Sequence, residues 1–483
     1  MFDIRPPLRI VAQVLVVTGA AMLLPAAVDA VAGNDNWRAF VTASVLTMLV
    51  GAITALSCQS AQRKPGLSLR QAFLMTASGW ILVAGFATLP LIWGAPGLNF
   101  TDAYFETVSG ITTTGATVIV GLEHLPPGAN LWRGLLNWMG GLGFSFLALV
   151  FLPYLRVGGM QFFQTSGFDT MGKVLPRAHE IAGSLMRFYI GLTLVIYVTY
   201  HGFGMSSLEA AVHAFSTVST GGLSTQDRSF AAYQGNAEYA AALFMILAGM
   251  PFIRFVQLLQ GTPKPMLQDW QVRTYLCIIV IVVALTTAWR LATQGGNFEP
   301  VLRSSLFNMV SILTGTGYSS GDVASWGGFV MALAFIAGMI GGCTSSTSAS
   351  ISVFRWQIAV LAIRRQIQQL YSPSRVVKLR YQGREVGPEV LDPTIAFFTA
   401  FVLLFGLMSA LLAISGVDMI SAIFAVWMAL GNIGFGFGEI VSRTGTMVDI
   451  PTFDKWVLIA AMLLGRVGIM PMIVLLLPRF WRG

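Results

Sequence analysis

Ten stretches of about twenty residues in this chain carry little charge, and each is long enough to cross a lipid bilayer as an α-helix. We predict them at residues 8–30, 40–58, 71–93, 131–152, 181–202, 239–260, 272–293, 327–352, 393–415 and 453–477. Only 10% of the 483 residues are charged and the mean hydropathy is +0.72, whereas about a quarter of the residues of a soluble domain are charged. Because backbone groups in lipid must be satisfied within the chain, the spans should be helical. The sequence predicts an all-α polytopic membrane protein.

The first span, 8–30, resembles a signal peptide because Arg5 and Arg9 flank it. It is longer than the apolar region of such a peptide and more spans follow it. We therefore expect it to be retained.

A four-fold repeat follows the first two spans. Each copy runs from a span through a short apolar helix and a glycine-bearing loop to a second span. The short helix and its loop are expected within 101–116, 207–222, 300–318 and 417–435. The loops place a glycine at nearly regular intervals, at Gly115, Gly222, Gly317 and Gly434, and each has an apolar residue ten positions earlier, at Phe105, Val212, Phe307 and Phe424. Fixed-period similarity of this kind indicates repeated structural units.

The repeat divides the chain into a two-span N-terminal extension and four pseudo-symmetric units around a central pore. The predicted boundaries are 1–62 for the extension and 63–156, 157–262, 263–385 and 386–483 for the units. One chain would thus achieve by repetition what tetrameric channels achieve by symmetry.

The third loop, Thr314-Gly-Thr-Gly-Tyr318, closely resembles the carbonyl-lined filter of potassium channels. Such filters present backbone oxygens to the ion, and glycine suits them because it tolerates unusual dihedral angles. Taken alone, a Thr-Gly-rich turn could simply join two elements, but four copies favour a filter. The predicted ion-contacting residues are Thr113, Thr114, Gly115, Thr220, Gly221, Gly222, Gly315, Thr316, Gly317, Asn432, Ile433 and Gly434.

Charge predicts the orientation. Most cations outside the spans fall on one face, which the positive-inside rule makes cytoplasmic, together with both termini. They are Arg5, Arg9, Arg63, Lys64, Arg70, Arg156, Lys173, Arg177, Lys264, Arg355, Arg364, Arg365, Arg375, Lys378, Arg380, Arg384, Arg479 and Arg482. The formal charge of +8 is explained by these loops, so nucleic acid is not expected as a partner.

The opposite face is acidic. It carries Asp102, Glu106, Glu123, Glu209, Asp227, Glu238, Glu299, Asp322, Asp418, Glu439, Asp449 and Asp454. An acidic mouth would concentrate cations before they enter. Alternatively, these residues are simply the ones that membrane insertion leaves outside.

Four motifs together resemble the Trk/Ktr/HKT superfamily of potassium transporters. They are FETVSGITTTGAT at 105–117, HAFSTVSTGGLST at 213–225, ALGNIG at 429–434 and LGR at 464–466. With two additional spans at the N-terminus, the chain is most similar to the TrkH branch. The resemblance implies a potassium-conducting homodimer in the bacterial inner membrane, controlled by a cytosolic nucleotide-binding ring of the TrkA kind. It implies K⁺ as the transported ion, with no cofactor in this chain.

The resemblance also bears on selectivity. In plant relatives a serine at the first filter glycine accompanies sodium conduction, whereas all four positions here are glycine, which favours potassium. Only the third loop has the full signature of a potassium channel, so discrimination against sodium could be looser than in a symmetric tetramer.

The second span of unit 3 is polar where a helix in lipid should be apolar. In the family this region is an intramembrane loop that gates the pore, and non-helical backbone is tolerated there if it lines a cavity. The alternative is a continuous helix whose Ser and Thr bond back to its own backbone. The family run is roughly GGCAGSTGGGIK, but this chain has Ser346, Ser348, Ala349 and Ser350 in the variable part and Ser352 in place of the lysine, so that it has fewer glycines, which predicts a stiffer loop. The gate residues implied are Gly341, Gly342, Cys343, Thr344, Ser345, Ser346, Thr347, Ser348, Ala349, Ser350 and Arg466.

Arg466 lies near the middle of the last span, where an arginine costs about 2.5–3.5 kcal/mol on insertion scales. The resemblance places it beside the gate loop, as a barrier or as a tie that holds the loop closed; the alternative is a structural bond to a neighbouring helix. The family's acidic residue two positions on is absent, because this chain has Gly468. Arg254, nearer the cytoplasmic end of its span, is expected to snorkel. The basic stretch at 355–383 should begin as a helix that lies on the inner leaflet or docks a partner.

Two other functions compete with gated potassium flow. An intramembrane enzyme is disfavoured because His213 and Ser216 share a helix face but have no obvious carboxylate to orient the imidazole. A proton- or sodium-coupled potassium symporter is the stronger alternative to channel-like flow. Coupling usually needs an ionisable group at the midplane, and Arg466 alone cannot release a proton at ordinary pH.

Overall fold

The part of the chain that the structure describes folds into helices joined by short loops, with one minimal hairpin. The computed structural model describes residues 3–59, 67–151, 174–374, 377–438 and 445–482. The N-terminal extension contains the helices Arg5–Ala21, Leu23–Val31 and Trp37–Ser57. Several sequence predictions concern residues outside the described ranges: Arg63, Lys64, Arg156, Lys173, Arg375, Glu439 and the unit boundaries at 62/63 and 156/157.

Each unit contains a first helix, a short pore helix and a second helix. The pore helices, numbered 1 to 4 with their units, are Phe100–Ile111, Ser207–Val218, Phe298–Thr314 and Met419–Gly431. The helices that precede them are Leu69–Ala87 with Leu89–Trp93, Val174–Gly202, Trp270–Thr293 and Pro388–Ile414. The helices that follow are Pro127–Phe151, Asn236–Ala248 with Phe252–Leu259, Gly328–Ile340 with Val353–Tyr371, and Thr452–Val467 with Ile469–Leu476.

The remaining elements are short. They are the helices Lys264–Leu267 and Pro478–Arg482, the 3₁₀ turns Leu122–His124, Ser229–Tyr233 and Ala324–Trp326, and the antiparallel strands Arg380–Tyr381 and Arg384–Glu385. The boundary predicted at 262/263 falls just before the helix Lys264–Leu267, and that at 385/386 directly follows the second strand. The hairpin is a small exception to the all-helical prediction.

Three of the pore helices begin at a side-chain cap. Asn99 accepts a hydrogen bond from the amide of Asp102, Ser206 from that of Glu209, and Asp418 from that of Ser421. A side-chain oxygen at this position satisfies one of the amides that a helix start leaves unpaired. The local sequence therefore fixes where these short helices start.

The spans predicted at 239–260 and 453–477 are each a pair of helices with a sharp bend between them, which the sequence analysis did not predict. The first bends by 93° between Ala248 and Phe252, and the second by 115° at Gly468. Pro251 has no amide hydrogen to continue the helix, and Gly468 adopts a φ of +104°, which other residues avoid. Hydropathy did not reveal either break, because both halves remain apolar.

The second helix of unit 3 is also broken, as the family resemblance predicted, at residues 341–352. This segment, hereafter the Ser-rich segment, is non-helical and lies against the break in unit 2. The amide of Cys343 donates to the carbonyl of Gly249 at 2.9 Å, and the amide of Phe252 donates to the carbonyl of Ser345 at 3.0 Å. Each break therefore supplies hydrogen-bond partners for the other, as backbone at membrane depth requires.

In the part of the chain that the structure describes, six helices are long and apolar enough to cross a membrane, and two bent pairs raise the number to eight. The two other predicted spans correspond to Pro127–Phe151 and to the interrupted helix of unit 3. The polytopic helical prediction is confirmed.

Arg254 does not snorkel, in contrast to the sequence prediction. Its side chain is buried, and Nε donates to Oδ2 of Asp269 at 2.8 Å. The sequence did not indicate this pair, because Asp269 belongs to the next unit. It lies just before the helix Trp270–Thr293 and also accepts a hydrogen bond from the amide of Gln271 in that helix.

The N-terminal extension is attached to unit 1 by a buried carboxylate. Asp29 is fully buried; Oδ1 accepts from the amide of Gly128, at the start of the helix Pro127–Phe151, and Oδ2 accepts from Nδ2 of Asn36. A helix N-terminus favours a negative charge. Asp29 therefore joins the extension to the first repeat.

Asp29→Ala should lower the thermal stability of the purified protein, because it leaves a buried amide and a buried Asn36 side chain without their partner, at about 1–3 kcal/mol for each group. Thermal unfolding in detergent would measure it. Asp35→Ala is the matched control, because Asp35 forms only an exposed pair with Arg38. Equal melting temperatures for the two variants would contradict this role of Asp29.

Candidate permeation site

The four glycine loops share one backbone conformation. In each, φ is positive at the glycine and again two residues earlier: at Thr113 and Gly115, Thr220 and Gly222, Gly315 and Gly317, and Asn432 and Gly434. The residue between them has an ordinary negative φ. Alternation of this kind turns successive amides to one side of the chain, and their carbonyls to the other.

The amides face back towards the pore helices. The residue before each glycine donates its amide hydrogen to the carbonyl six positions before that glycine: Thr114 to Ser109, Gly221 to Ser216, Thr316 to Ser311, and Ile433 to Met428. These distances run from 2.7 to 3.0 Å. The amides are thereby satisfied behind the loop, and the carbonyls are directed away from the protein that supports it.

The four loops close into a ring. A Cβ atom built on Gly115 would clash with the carbonyl oxygen of Gly221 in unit 2. The same clash occurs from Gly222 to Thr316, from Gly317 to Ile433, and from Gly434 back to Thr114. We call Gly115, Gly222, Gly317 and Gly434 the glycine ring. Each of its members is required both by its positive φ and by the carbonyl of the next unit.

All twelve residues predicted from the sequence lie in these loops, and the structure brings them together. Two of them, Thr113 and Thr220, are β-branched residues at a φ of 54° and 51°. Such a conformation costs of order 1–3 kcal/mol and persists only where the surroundings enforce it. Asn432 tolerates the left-handed region better, and its Nδ2 donates to Oγ1 of Thr114, which links units 4 and 1.

The sequence did not indicate the side chains that support the loops. Ser109 in unit 1 and Ser311 in unit 3 donate from Oγ to the carbonyl just after their glycine, at Ala116 and Tyr318. Their spacing could have revealed them, because both serines lie six positions before the ring glycine of their unit.

The electrostatics of the ring come from dipoles. All four pore helices end directly before their loops, and the C-terminal end of a helix carries a partial negative charge. The candidate residues themselves are uncharged. The arrangement can therefore replace the water around a cation with carbonyl oxygens, inside a region of negative potential.

Most of the acidic residues predicted for the outer mouth have structural partners. Asp102 pairs with Lys455 at 2.6 Å, and Glu238 pairs with Arg303 at 3.2 Å. Asp227 accepts from the amides of Gly121 and Leu122. Glu106 does not lie at the mouth at all: it is fully buried and paired with Arg133 at 2.7 Å. Of the predicted mouth residues that the structure describes, Glu123, Glu299, Asp322, Asp418 and Asp449 are exposed.

The Ser-rich segment contacts the inner end of the ring. Oγ of Ser348 donates to the carbonyl of Thr314, which directly precedes the third loop, at 2.6 Å, and it also accepts the amide of Gly342. Oγ1 of Thr347 lies within hydrogen-bond distance of the carbonyls of Val218, at the end of pore helix 2, and Ala248. Ser345, Ser350 and Ser352 adopt positive φ values. The segment thus joins units 2 and 3 below the ring.

Arg466 lies against this segment. Its guanidinium is buried, and Nη1 donates to the carbonyl of Thr347 at 2.9 Å. A buried charge of this kind needs protein or water partners. The family resemblance implied that Arg466 lies beside this segment, and the structure places it there. The alternative of a continuous helix through residues 341–352 is wrong.

Four glycine-bearing loops, closed into a ring within a predominantly helical membrane protein, are the arrangement expected of a cation transport protein built from four repeated units. A family profile described as "TrkH: Cation transport protein" matches residues 37–482. The chain belongs to this TrkH family.

Individual relatives agree with the family. The chain is 36% identical over 481 residues to "Trk system potassium uptake protein TrkI" of Halomonas elongata, covering 99% of this chain and 97% of that protein. It is 33% identical to "Trk system potassium uptake protein TrkH" of Vibrio parahaemolyticus, covering 99% of each. Among solved structures it is similar to the potassium transporter TrkH from Vibrio parahaemolyticus, with a TM-score of 0.91, 32% identity and full coverage of both chains.

Proposed function

We propose that this chain takes up potassium across the bacterial cytoplasmic membrane by gated, channel-like flow through the four-loop ring. The observation that carries the proposal is the closed succession of glycines and neighbouring carbonyls around the ring. The printed names of the relatives, which are potassium uptake proteins, support the choice of ion. K⁺ is cargo here, and the candidate ion-contacting positions are the twelve loop residues.

The alternative transport mechanism is symport coupled to protons or sodium. The twelve loop residues include no titratable side chain, and Arg466 keeps its proton at ordinary pH. Flow down the electrochemical gradient of the ion needs neither. An intramembrane enzyme is not supported: both ring nitrogens of His213 contact neighbours, Nδ1 the carbonyl of Glu209 and Nε2 the hydroxyl of Ser224.

Channel-like flow predicts that purified protein in liposomes has a zero-current potential set by the potassium gradient alone. The measurement varies potassium, sodium and pH on one side at a time. A potential that moves with the pH gradient, or a sodium current that requires potassium, would establish coupling and overturn channel-like flow. A sodium current of equal size in the absence of potassium would instead refute potassium selectivity.

Gly115→Ser should raise sodium permeability relative to potassium. The new Cβ displaces the carbonyl of Gly221 and strains a φ of +83°, so the ring loses one of its fixed oxygens. The control is Gly191→Ser, because Gly191 is an exposed helical glycine with open space around it. An unchanged permeability ratio in folded Gly115→Ser protein would remove Gly115 from the filter.

We further propose that the Ser-rich segment and Arg466 form the gate. The gate comprises residues Gly341 to Ser350 together with Arg466, whose guanidinium donates a hydrogen bond to the carbonyl of Thr347. The support is the position of the segment at the inner end of the ring, where Ser348 bonds to the carbonyl of Thr314. Opening must break this bond, and the side chain that makes it replaces a family glycine. Ser348 therefore acts as a latch that this chain adds to the gate.

Ser348→Gly and Ser348→Ala should both increase rubidium flux through the protein in the absence of any partner, by severalfold, since both remove the hydroxyl that holds the segment to Thr314. Flux into potassium-loaded liposomes measures this. Ser350→Gly is the matched control: it adds a glycine to the same segment, but Ser350 bonds to the carbonyl of Gly338 instead of the loop. Flux from both Ser348 variants equal to that of the wild type would exclude the latch.

We propose that the working assembly is a homodimer in which each protomer has its own pore, and that a cytosolic nucleotide-binding ring of the TrkA kind controls opening. Both termini are assigned to the cytoplasm, with the division into an extension and four units as given above. The support is family membership together with the exposed basic residues Arg364, on the helix Val353–Tyr371, and Lys264, at the start of unit 3.

A further inference from the structure

One position recurs behind the glycine ring with a different side chain in each unit. Nine residues before the ring glycines stand Glu106, His213, Asn308 and Ala425. All four lie on the pore helices and are buried. Because the backbones of the four loops are alike, this position has the same relation to its loop in every unit.

In units 1 to 3 the side chain at this position hydrogen-bonds the residues that follow the ring glycine and lead outward. We call these residues (116–118, 223–224 and 318–320, with 435–437 in unit 4) the outward strands. In unit 1, Oε2 of Glu106 accepts from the amide of Val118 at 3.0 Å and from the hydroxyl of Thr117 at 2.9 Å. In unit 3, Oδ1 of Asn308 accepts from the amide of Ser320 at 3.1 Å, while Nδ2 donates to its hydroxyl at 2.9 Å.

Unit 2 uses a neutral histidine for the same task. Nδ1 of His213 lies 2.8 Å from the carbonyl of Glu209, which can only accept, so this nitrogen carries the hydrogen. Nε2 is then an acceptor for the hydroxyl of Ser224 at 3.0 Å. Ser224 follows Gly222 by two residues, as Thr117 follows Gly115.

Arg133 extends the support of unit 1 to unit 2. Its Nε donates to Oε1 of Glu106 at 2.7 Å, and both side chains are almost completely buried, at 1% and 0% exposed. Its Nη1 donates to the carbonyl of Ser224 at 2.8 Å, and Nη2 approaches the hydroxyl of Thr117 at 3.3 Å. One guanidinium therefore holds the outward strands of two neighbouring units at a fixed separation, through charge-assisted hydrogen bonds of a planar fork.

Tyr318 continues the connection to unit 3. Its hydroxyl donates to the carbonyl of His213 at 3.2 Å, and its own backbone follows Gly317. Unit 4 is held differently: Ala425 offers no polar group, and the strand after Gly434 packs Phe435 and Phe437 against each other and Phe437 on Phe424.

We propose that Glu106 and Arg133 are positioning residues for ion selectivity, with His213 and Asn308 as their neutral counterparts. They act through the outward strands, and the Glu106–Arg133 pair fixes the distance between the loops of units 1 and 2. A ring that can contract accommodates the smaller sodium ion, so a fixed separation favours potassium. This inference rests on the proposed function of the ring.

The test is the relative permeability of sodium and potassium through purified protein in liposomes. Glu106→Gln keeps the shape of the side chain but removes the charge that pairs with Arg133, so relative sodium permeability should rise about tenfold. Arg133→Gln should produce a similar rise, and the double variant should not exceed either single variant, since both remove one interaction. Ala425→Ser is the matched control at the same position of unit 4 and should leave the ratio unchanged.

Folding and function are separated by additional measurements. Each variant is first checked for a single symmetric peak in size-exclusion chromatography. If the charged variants do not fold, Asn308→Ala decides, because it removes an uncharged support and should shift the ratio in the same direction. Unchanged ratios in folded Glu106→Gln and Arg133→Gln protein, or in Asn308→Ala where those fail to fold, overturn the inference.

The wild type and Gly115→Ser belong in the same experiment. A wild type that does not discriminate potassium from sodium refutes potassium selectivity, and a Gly115→Ser variant identical to it removes Gly115 from the filter; both outcomes count against the proposed function. A discriminating wild type, a responsive Gly115→Ser and unresponsive supports refute only the role of the supports.

Discussion

Backbone hydrogen bonding without water is the constraint on which this structure depends. The four loops and the Ser-rich segment lie at membrane depth without helical pairing, and each unpaired amide or carbonyl there would cost several kcal/mol. The loops solve this by directing their amides to pore-helix carbonyls six positions before each glycine. That solution leaves the loop carbonyls for the ion of the proposed function. The segment solves it by pairing with the broken helix of unit 2, and with the carbonyl of Thr314.

Much of this could be predicted because the loops repeat. The glycine ring and the pore helices followed from spacing, since a positive φ at a fixed position leaves glycine as its trace in the sequence. The bends in units 2 and 4 could not be predicted from hydropathy, because an apolar helix and two apolar half-helices have the same composition. Pro251 and Gly468 were the only signals, and both residues are tolerated within membrane helices.

The pairing of buried charges was the other gap. Arg254 with Asp269, and Arg133 with Glu106, join residues separated by a loop or a helix, and no local pattern connects them. Glu106 was assigned to an acidic mouth because it lies in an outward-facing segment of the sequence. The helix periodicity that turns it inward was visible, but only its partner explains why a carboxylate is tolerated there.

The Ser-rich segment and the bend of unit 2 share hydrogen bonds that the proposed gate would have to break. Carbonyls of Ala248 and Gly249 accept from amides of the segment. If the segment withdraws as proposed, these oxygens require new partners, and water is the abundant one. Opening of the proposed gate would therefore also be an event of hydration, in which the newly exposed oxygens line a vestibule where a dehydrated ion regains its shell.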